Sequence, residues 1–214
     1  MLKLSRETKQ KSCDFEHRKD CDIMKKRILN LALCIVLSVS CTVPTLAAET
    51  PTEQETAAAS LQAQGLMNGD ENGDLHLDSP LTRAQMAVLV SQLCINPEHI
   101  AWERGFYSRL CDANFTDVPE WAKPYVGVCA ANGIMAGYGD GRFAPADTVS
   151  PRMACTVILS WLERDGWSYA TACDKALELE LAPAEALASD TITRGDMAIL
   201  ICRAQDFMAW LQTL

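Results

Sequence analysis

Residues 115–145 read FTDVPEWAKPYVGVCAANGIMAGYGDGRFAP. Trp121, Tyr125, Val128 and Cys129 recur there at helical spacing, and Asn132-Gly133 supplies a C-terminal stop. A helix is therefore expected over Glu120 to Asn132. Gly137-Tyr138-Gly139-Asp140-Gly141 is a glycine turn, and Phe143 and Pro145 belong to an extended stretch after it. Ser150 opens a second helix, with Pro151 at its first position, where a missing N–H costs nothing. The unit is helix, glycine turn, extended stretch, helix.

The unit recurs along the chain. At an offset of 68, Gly65 aligns with Gly133, Met67 with Met135, Gly69 with Gly137, Gly73 with Gly141, Leu75 with Phe143 and Leu81-Thr82 with Val149-Ser150. At an offset of 111, Leu81-Thr82-Arg83 aligns with Ile192-Thr193-Arg194, and Met86, Ala87 and Leu89 with Met197, Ala198 and Leu200. Thr82 with Gln85, and Thr193 with Asp196, have capping-box spacing. Met86, Leu89, Val90 and Leu93 then form one apolar face, as do Met197, Leu200 and Ile201. One two-helix unit cannot bury such a face, but three units sharing a core can. The expected fold is all-α, with three helix–loop–helix repeats.

The N-terminal part is of another kind. Met24 is followed by the basic Lys25-Lys26-Arg27, the mostly apolar run Ile28 to Val39, and Thr45-Leu46-Ala47 with small residues where a signal peptidase reads. Residues 24–47 are expected to be a signal peptide cleaved after Ala47, and the mature chain to have no transmembrane segment. Residues 1–23 mix acidic and basic side chains without an apolar period, so translation is expected to begin at Met24. The remaining segments are a polar leader at 48–55, repeat one at 56–95, a non-repeat insert at 96–112, repeat two at 113–165, repeat three at 166–210 and a tail at 211–214.

The chain has 19 Lys and Arg against 28 Asp and Glu. Residues 1–47 hold 9 of the basic and 5 of the acidic residues, so the remainder carries a net charge of −13. Nucleic acid, which needs a basic face, is excluded as a partner. An anionic partner would have to be held by local arginines against a repulsive field.

Phe115-Thr116-Asp117-Val118, Trp121-Ala122, Gly133-Ile134-Met135 and Gly137 to Pro145 together resemble the S-layer homology (SLH) domain family. Leu81-Thr82-Arg83-Ala84-Gln85 and Ile192-Thr193-Arg194-Gly195-Asp196 resemble that family's helix start. The resemblance covers about residues 56–210. It implies three SLH repeats with pseudo-threefold symmetry, and a secreted protein at the cell wall or cell surface. It also implies non-covalent binding of secondary cell-wall polysaccharide, often pyruvylated, in grooves between repeats. No cargo domain is read in the chain, so the other reading is a structural adaptor that contacts other surface proteins through the same fold.

The resemblance makes Arg83 and Arg194 glycan ligands. Each stands in the first turn of its helix, where a positive charge opposes the macrodipole by about 0.3–1 kcal/mol. Either each guanidinium and the free helix N–H groups hold an anion, or each arginine bonds a neighbouring turn carbonyl or carboxylate. In repeat two Pro151 takes the arginine position and Arg152 is displaced by one residue, about 100° round the helix. Repeat three has Glu180 to Ala188 in place of the glycine turn. Trp121 would stack on a sugar or enter the core. Tyr138 is a further glycan candidate. Asp140 would accept sugar hydroxyls or serve the turn.

Other chemistry finds little support. Asp70-x-Asn72-x-Asp74 has EF-hand spacing, but Leu75 and Leu81 stand where Gly and Glu are needed. The six cysteines at 94, 111, 129, 155, 173 and 202 form no zinc pattern. Cys94 and Cys111, which flank the insert, are the pair favoured for a disulfide. Trp102, Phe106 and Tyr107 on the insert would pack over the core or form a partner site. His76 and His99 lie in no nucleophile motif, and no carboxylate pair is singled out. No enzyme activity, cofactor or metal is expected.

Overall fold

The computed structural model describes residues 50–213. The expected extension at 1–23 and signal peptide at 24–47 lie outside the described residues. The described part is all-α: α1 Glu53–Ala63, α2 Arg83–Cys94, α3 Pro97–Trp102, α4 Arg104–Asn114, α5 Lys123–Ala131, α6 Pro151–Trp161, a 3-10 turn at Tyr169–Thr171, α7 Ala172–Glu178, α8 Ala184–Ala188 and α9 Arg194–Leu211. None of these helices is long and apolar enough to cross a membrane.

The helix starts follow local chemistry. The Thr82 and Thr193 side chains accept hydrogen bonds from the backbone N–H of Gln85 and Asp196, and both capping boxes are complete. Ser150 caps α6 with Pro151 at the first position. A further capping box, Thr52 with Glu55, opens α1. That box places the helix inside the stretch expected to be a polar leader, so the leader is shorter than 48–55. The helix expected from Glu120 begins instead at Lys123. Pro124 has no N–H and is tolerated only in a first turn, and the Pro119 carbonyl accepts from the N–H groups of both Ala122 and Lys123.

Three helix pairs of the same kind build the core: α2 packs on α5, α6 on α7, and α9 on α1. In each pair the second helix of one unit meets the first helix of another. At the centre the segments before α2, α6 and α9 meet. Leu81 N–H donates to the Ile192 carbonyl, Val149 N–H to Leu81, and Ile192 N–H to Val149, each at 2.9 Å. All three side chains are fully buried. The ring joins the three residues that the two sequence offsets align, and each donates to the next in a cycle.

The insert is helical. α4 packs along α5 so closely that a Cβ at Gly127 would lie 2.0 Å from the Tyr107 carbonyl oxygen. Tyr107 is buried with Ile100 and Val128, and Lys123 bonds Asp112 on α4 at 2.8 Å. Trp102 and Phe106 stay exposed, Trp102 at 85%. The cysteines at 94, 111, 129, 155, 173 and 202 are all free thiols, so the disulfide favoured between Cys94 and Cys111 is absent.

Candidate functional site

Arg83 sits at the seam between α2 and the turn of the second unit. Its guanidinium is buried and donates from Nε to the Phe143 carbonyl at 2.9 Å and from Nη2 to the Ala136 carbonyl at 2.7 Å. Arg194 repeats the arrangement on the turn of the first unit. It donates from Nε to the Leu75 carbonyl at 2.8 Å and from Nη2 to the Asn68 carbonyl at 3.2 Å. Both pairs of acceptors are separated by 68 residues, the offset of the sequence repeat. Burial pulls the Arg194 guanidinium down from its ordinary value.

The helix N–H groups beside these arginines are not free. Arg83 and Ala84 donate to the carbonyls of Asp147 and Pro145 at 2.9 and 3.0 Å, and Gln85 donates to the Thr82 hydroxyl. Arg194 and Gly195 donate to Ser79 and Leu77 at 3.0 and 2.8 Å, and Asp196 donates to the Thr193 hydroxyl. An anion lodged between free helix N–H groups and a guanidinium therefore has no N–H left to use. Of the two roles read for these arginines, the geometry has each on its neighbouring turn carbonyls. A positive charge at a helix start is offset by two charge-assisted bonds to carbonyl dipoles.

Arg152 stands at the third seam. Pro151 is buried in the arginine position, while Arg152 is exposed and lies over the Tyr169 ring at 5.7 Å. The shortened segment of the third unit has become α8, and it offers no glycine turn for a clamp.

The other sequence candidates are distributed over the second unit. Tyr138 is half-exposed, with its ring 5.1 Å from the Arg83 guanidinium carbon. Its hydroxyl donates to an Asp147 carboxylate oxygen at 3.4 Å. Asp140 accepts from Arg142 Nε at 2.7 Å on the open side of the same turn. This bond holds the Asp140 carboxyl below the usual carboxylate range and raises Arg142. Trp121 is half-exposed in the turn ahead of α5, outside the helix and outside the core. The structure thus joins Arg83 with Tyr138, and Asp140 with Arg142, at one seam. Arg194, Arg152 and Trp121 stand elsewhere.

Sequence reading missed Arg142, Asp147 and Asp117. Asp117 orders the turn, because its two carboxylate oxygens accept from the N–H groups of Phe143 and Ala144, both at 2.8 Å. Arg142 was legible as the basic neighbour of Asp140, two residues on. Asp147 was not, because its contact with Tyr138 depends on how the turn closes.

In the first unit, the EF-hand-like stretch is a turn of its own. One Asp70 carboxylate oxygen accepts from the N–H groups of Asn72 and Asp74, and the other lies 3.1 Å from His76. These bonds hold the Asp70 carboxyl low. Among the described residues no group of three His, Cys, Asp or Glu is placed to hold a metal ion.

The S-layer homology domain model matches residues 114–150, from the start of the turn-ordering segment to the cap of α6. The chain is similar to a "Middle cell wall protein" of Brevibacillus brevis, at 28% identity over 187 residues, 80% of this chain and 17% of that protein. It is also similar to a "Surface layer protein" of Brevibacillus choshinensis, at 28% identity over 63% of this chain and 12% of that protein. A "Cell surface protein" of Thermoanaerobacter kivui is 31% identical over 69% of this chain and 19% of that protein. The chain therefore spans less than one fifth of the length of each of these relatives.

Proposed function

We propose that this chain, a member of the S-layer homology domain family through residues 114–150, is an exported surface protein that holds non-covalently to the bacterial cell wall. Its ligand in this reading is an anionic secondary cell-wall polysaccharide. The observation that carries the reading is the match of the family model to the segment that builds the best-furnished seam. That seam presents a half-exposed Tyr138 ring stacked on the Arg83 guanidinium, flanked by the exposed Asp140–Arg142 pair. An aromatic face beside paired donors and acceptors suits a sugar, whose ring face is apolar and whose hydroxyls do both. In this reading the exposed Arg142, rather than the buried Arg83, meets a carboxylate of the glycan. Relatives named for the cell wall and the surface layer support the location.

The test is co-sedimentation of the protein with purified cell walls, before and after acid removal of the secondary polymer. Binding to native walls that disappears on stripping, and that weakens about tenfold in Tyr138→Ala or Arg142→Ala, is the expected result. Equal sedimentation with stripped walls, or none with either, overturns it. In that event the exposed Trp102 and Phe106 of the insert favour the second reading, an adaptor that docks another surface protein.

A further inference from the structure

We propose that Cys155 and Cys173 form a disulfide bond that joins α6 to α7 covalently when the folded protein meets a thiol–disulfide oxidant. Cys155 is fully buried on α6, and Cys173 is half-buried on α7 against the same core. The two helices pack directly, and the Cys155 and Cys173 thiols are close enough to influence one another electrostatically. A disulfide needs its two sulfurs close together, and the packing of α6 on α7 brings Cys155 and Cys173 to one seam of the same core. Two further thiols are directed at backbone: Cys129 donates to the Ala87 carbonyl and Cys202 to the Ala57 carbonyl, each at 3.5 Å.

The position of the pair in the repeat adds a second argument. Cys155 lies five residues after its helix cap Ser150, as Ala87 does after Thr82 and Ala198 after Thr193. Cys173 lies three residues before Ala176, whose carbonyl receives the closing N–H of Leu181. Val126 stands in the same relation to Cys129, and Ala58 to Leu61. Two seams are thus filled by buried apolar residues, Ala87 with Val126 and Ala198 with Ala58. The third is filled by two thiols. It is also the seam where Pro151 replaces the clamping arginine. The covalent link falls where the polar clamp is missing.

The chemistry balances with an external disulfide such as oxidised glutathione. The more exposed Cys173 loses its proton to solvent and attacks one sulfur of the oxidant. The oxidant's S–S bond breaks, and one glutathione thiol leaves with a proton. Cys155 then loses its proton and attacks the Cys173 sulfur of the mixed disulfide, expelling the second glutathione thiol. Two protein thiols are oxidised and one glutathione disulfide is reduced. Cys155 is fully buried and Cys173 is partly exposed, so Cys173 meets the oxidant first.

The experiment incubates the folded full chain with oxidised glutathione, blocks remaining thiols under denaturing conditions and maps tryptic peptides without reduction. Cleavage after Arg152, Arg164 and Lys175 separates the two cysteines. The expected species is residues 153–164 linked to residues 165–175, two hydrogens lighter than the sum of the free peptides, and it disappears on reduction. The oxidised protein should also melt at a higher temperature than the reduced one, a difference absent in Cys173→Ser. Alkylated Cys155 in the oxidised sample, a stable glutathione adduct on Cys173, or a link from Cys155 to a different cysteine each overturns the proposal. Mapping the wild-type chain decides the question even if the variant fails to fold.

Discussion

Arg83 and Arg194 are the same residue in two copies of one unit, yet their surroundings differ in a way that predicts unequal cost. Both donate twice to carbonyls of a neighbouring turn. Arg83 is 6% exposed and lies over the rings of both Phe143 and Tyr138. Arg194 is only partly buried, and its longer bond, 3.2 Å, goes to an exposed carbonyl. Losing the Arg83 guanidinium leaves two acceptors without a donor in a place water reaches poorly. Arg83→Met should therefore cost about 2–4 kcal/mol of stability, and Arg194→Met roughly half of that, measured by urea denaturation. Equal costs would mean that the turns re-close without the clamp. The type of residue and its place at a helix start were legible in the sequence. Its partners were not, because Phe143 and Ala136 lie 60 and 53 residues away along the chain.

The ends of the first helices show how one element is built from different residues. α1, α5 and α7 each close with the same pair of backbone bonds. Leu66 donates to Leu61, Ile134 to Cys129 and Leu181 to Ala176, while Gly65, Gly133 and Glu180 each donate three residues back. That closure needs a left-handed residue after the helix. Gly133 takes it at φ 66, and Glu180 takes it at φ 56. Glycine reaches this region without a Cβ clash, whereas a residue with a side chain is strained there. Gly133→Ala should destabilise by about 1 kcal/mol, and Glu180→Gly should stabilise by up to ~1 kcal/mol. Opposite shifts in thermal midpoint at these two equivalent positions would check the comparison. Asn132-Gly133 made the α5 stop readable. No residue type announces the stop at Glu180, and the tertiary packing of α7 imposes it.

Across the molecule, the three-membered ring of Leu81, Val149 and Ile192 is where the units meet. Each N–H in the ring points at a fully buried partner, so none can exchange without separating two units. These three amides should be among the slowest to exchange with deuterium, opening only with global unfolding, whereas the N–H groups of the exposed turn at 138–142 should exchange early. Fast exchange at any one of the three would show that its unit detaches by itself. The seams around this ring are unequal. Two are clamped by arginine, and the third carries Pro151, the exposed Arg152, Cys155 and Cys173. The chain carries a net charge of −9, so an anionic polymer would have to be met by local cationic groups.

What the amino-acid sequence determined by itself was local: the helices, their caps at Thr82, Ser150 and Thr193, the glycine turn and the repeat. The helices, caps and turn depend on residues within a few positions of one another, and the repeat is the recurrence of that local pattern, so pattern and spacing are sufficient to read them. The starts of α1 and α5 are also set locally, by the capping box at Thr52 and the first-turn proline at Pro124. The tertiary structure alone decided what the site residues touch. It turned the arginines onto carbonyls of neighbouring turns and used up the helix N–H groups that an anion would need. It left Trp121 outside the core and brought Cys155 and Cys173 to one seam. The arginine contacts depend on which helix face meets which turn across more than fifty residues of chain, and burial of the shared core sets that arrangement.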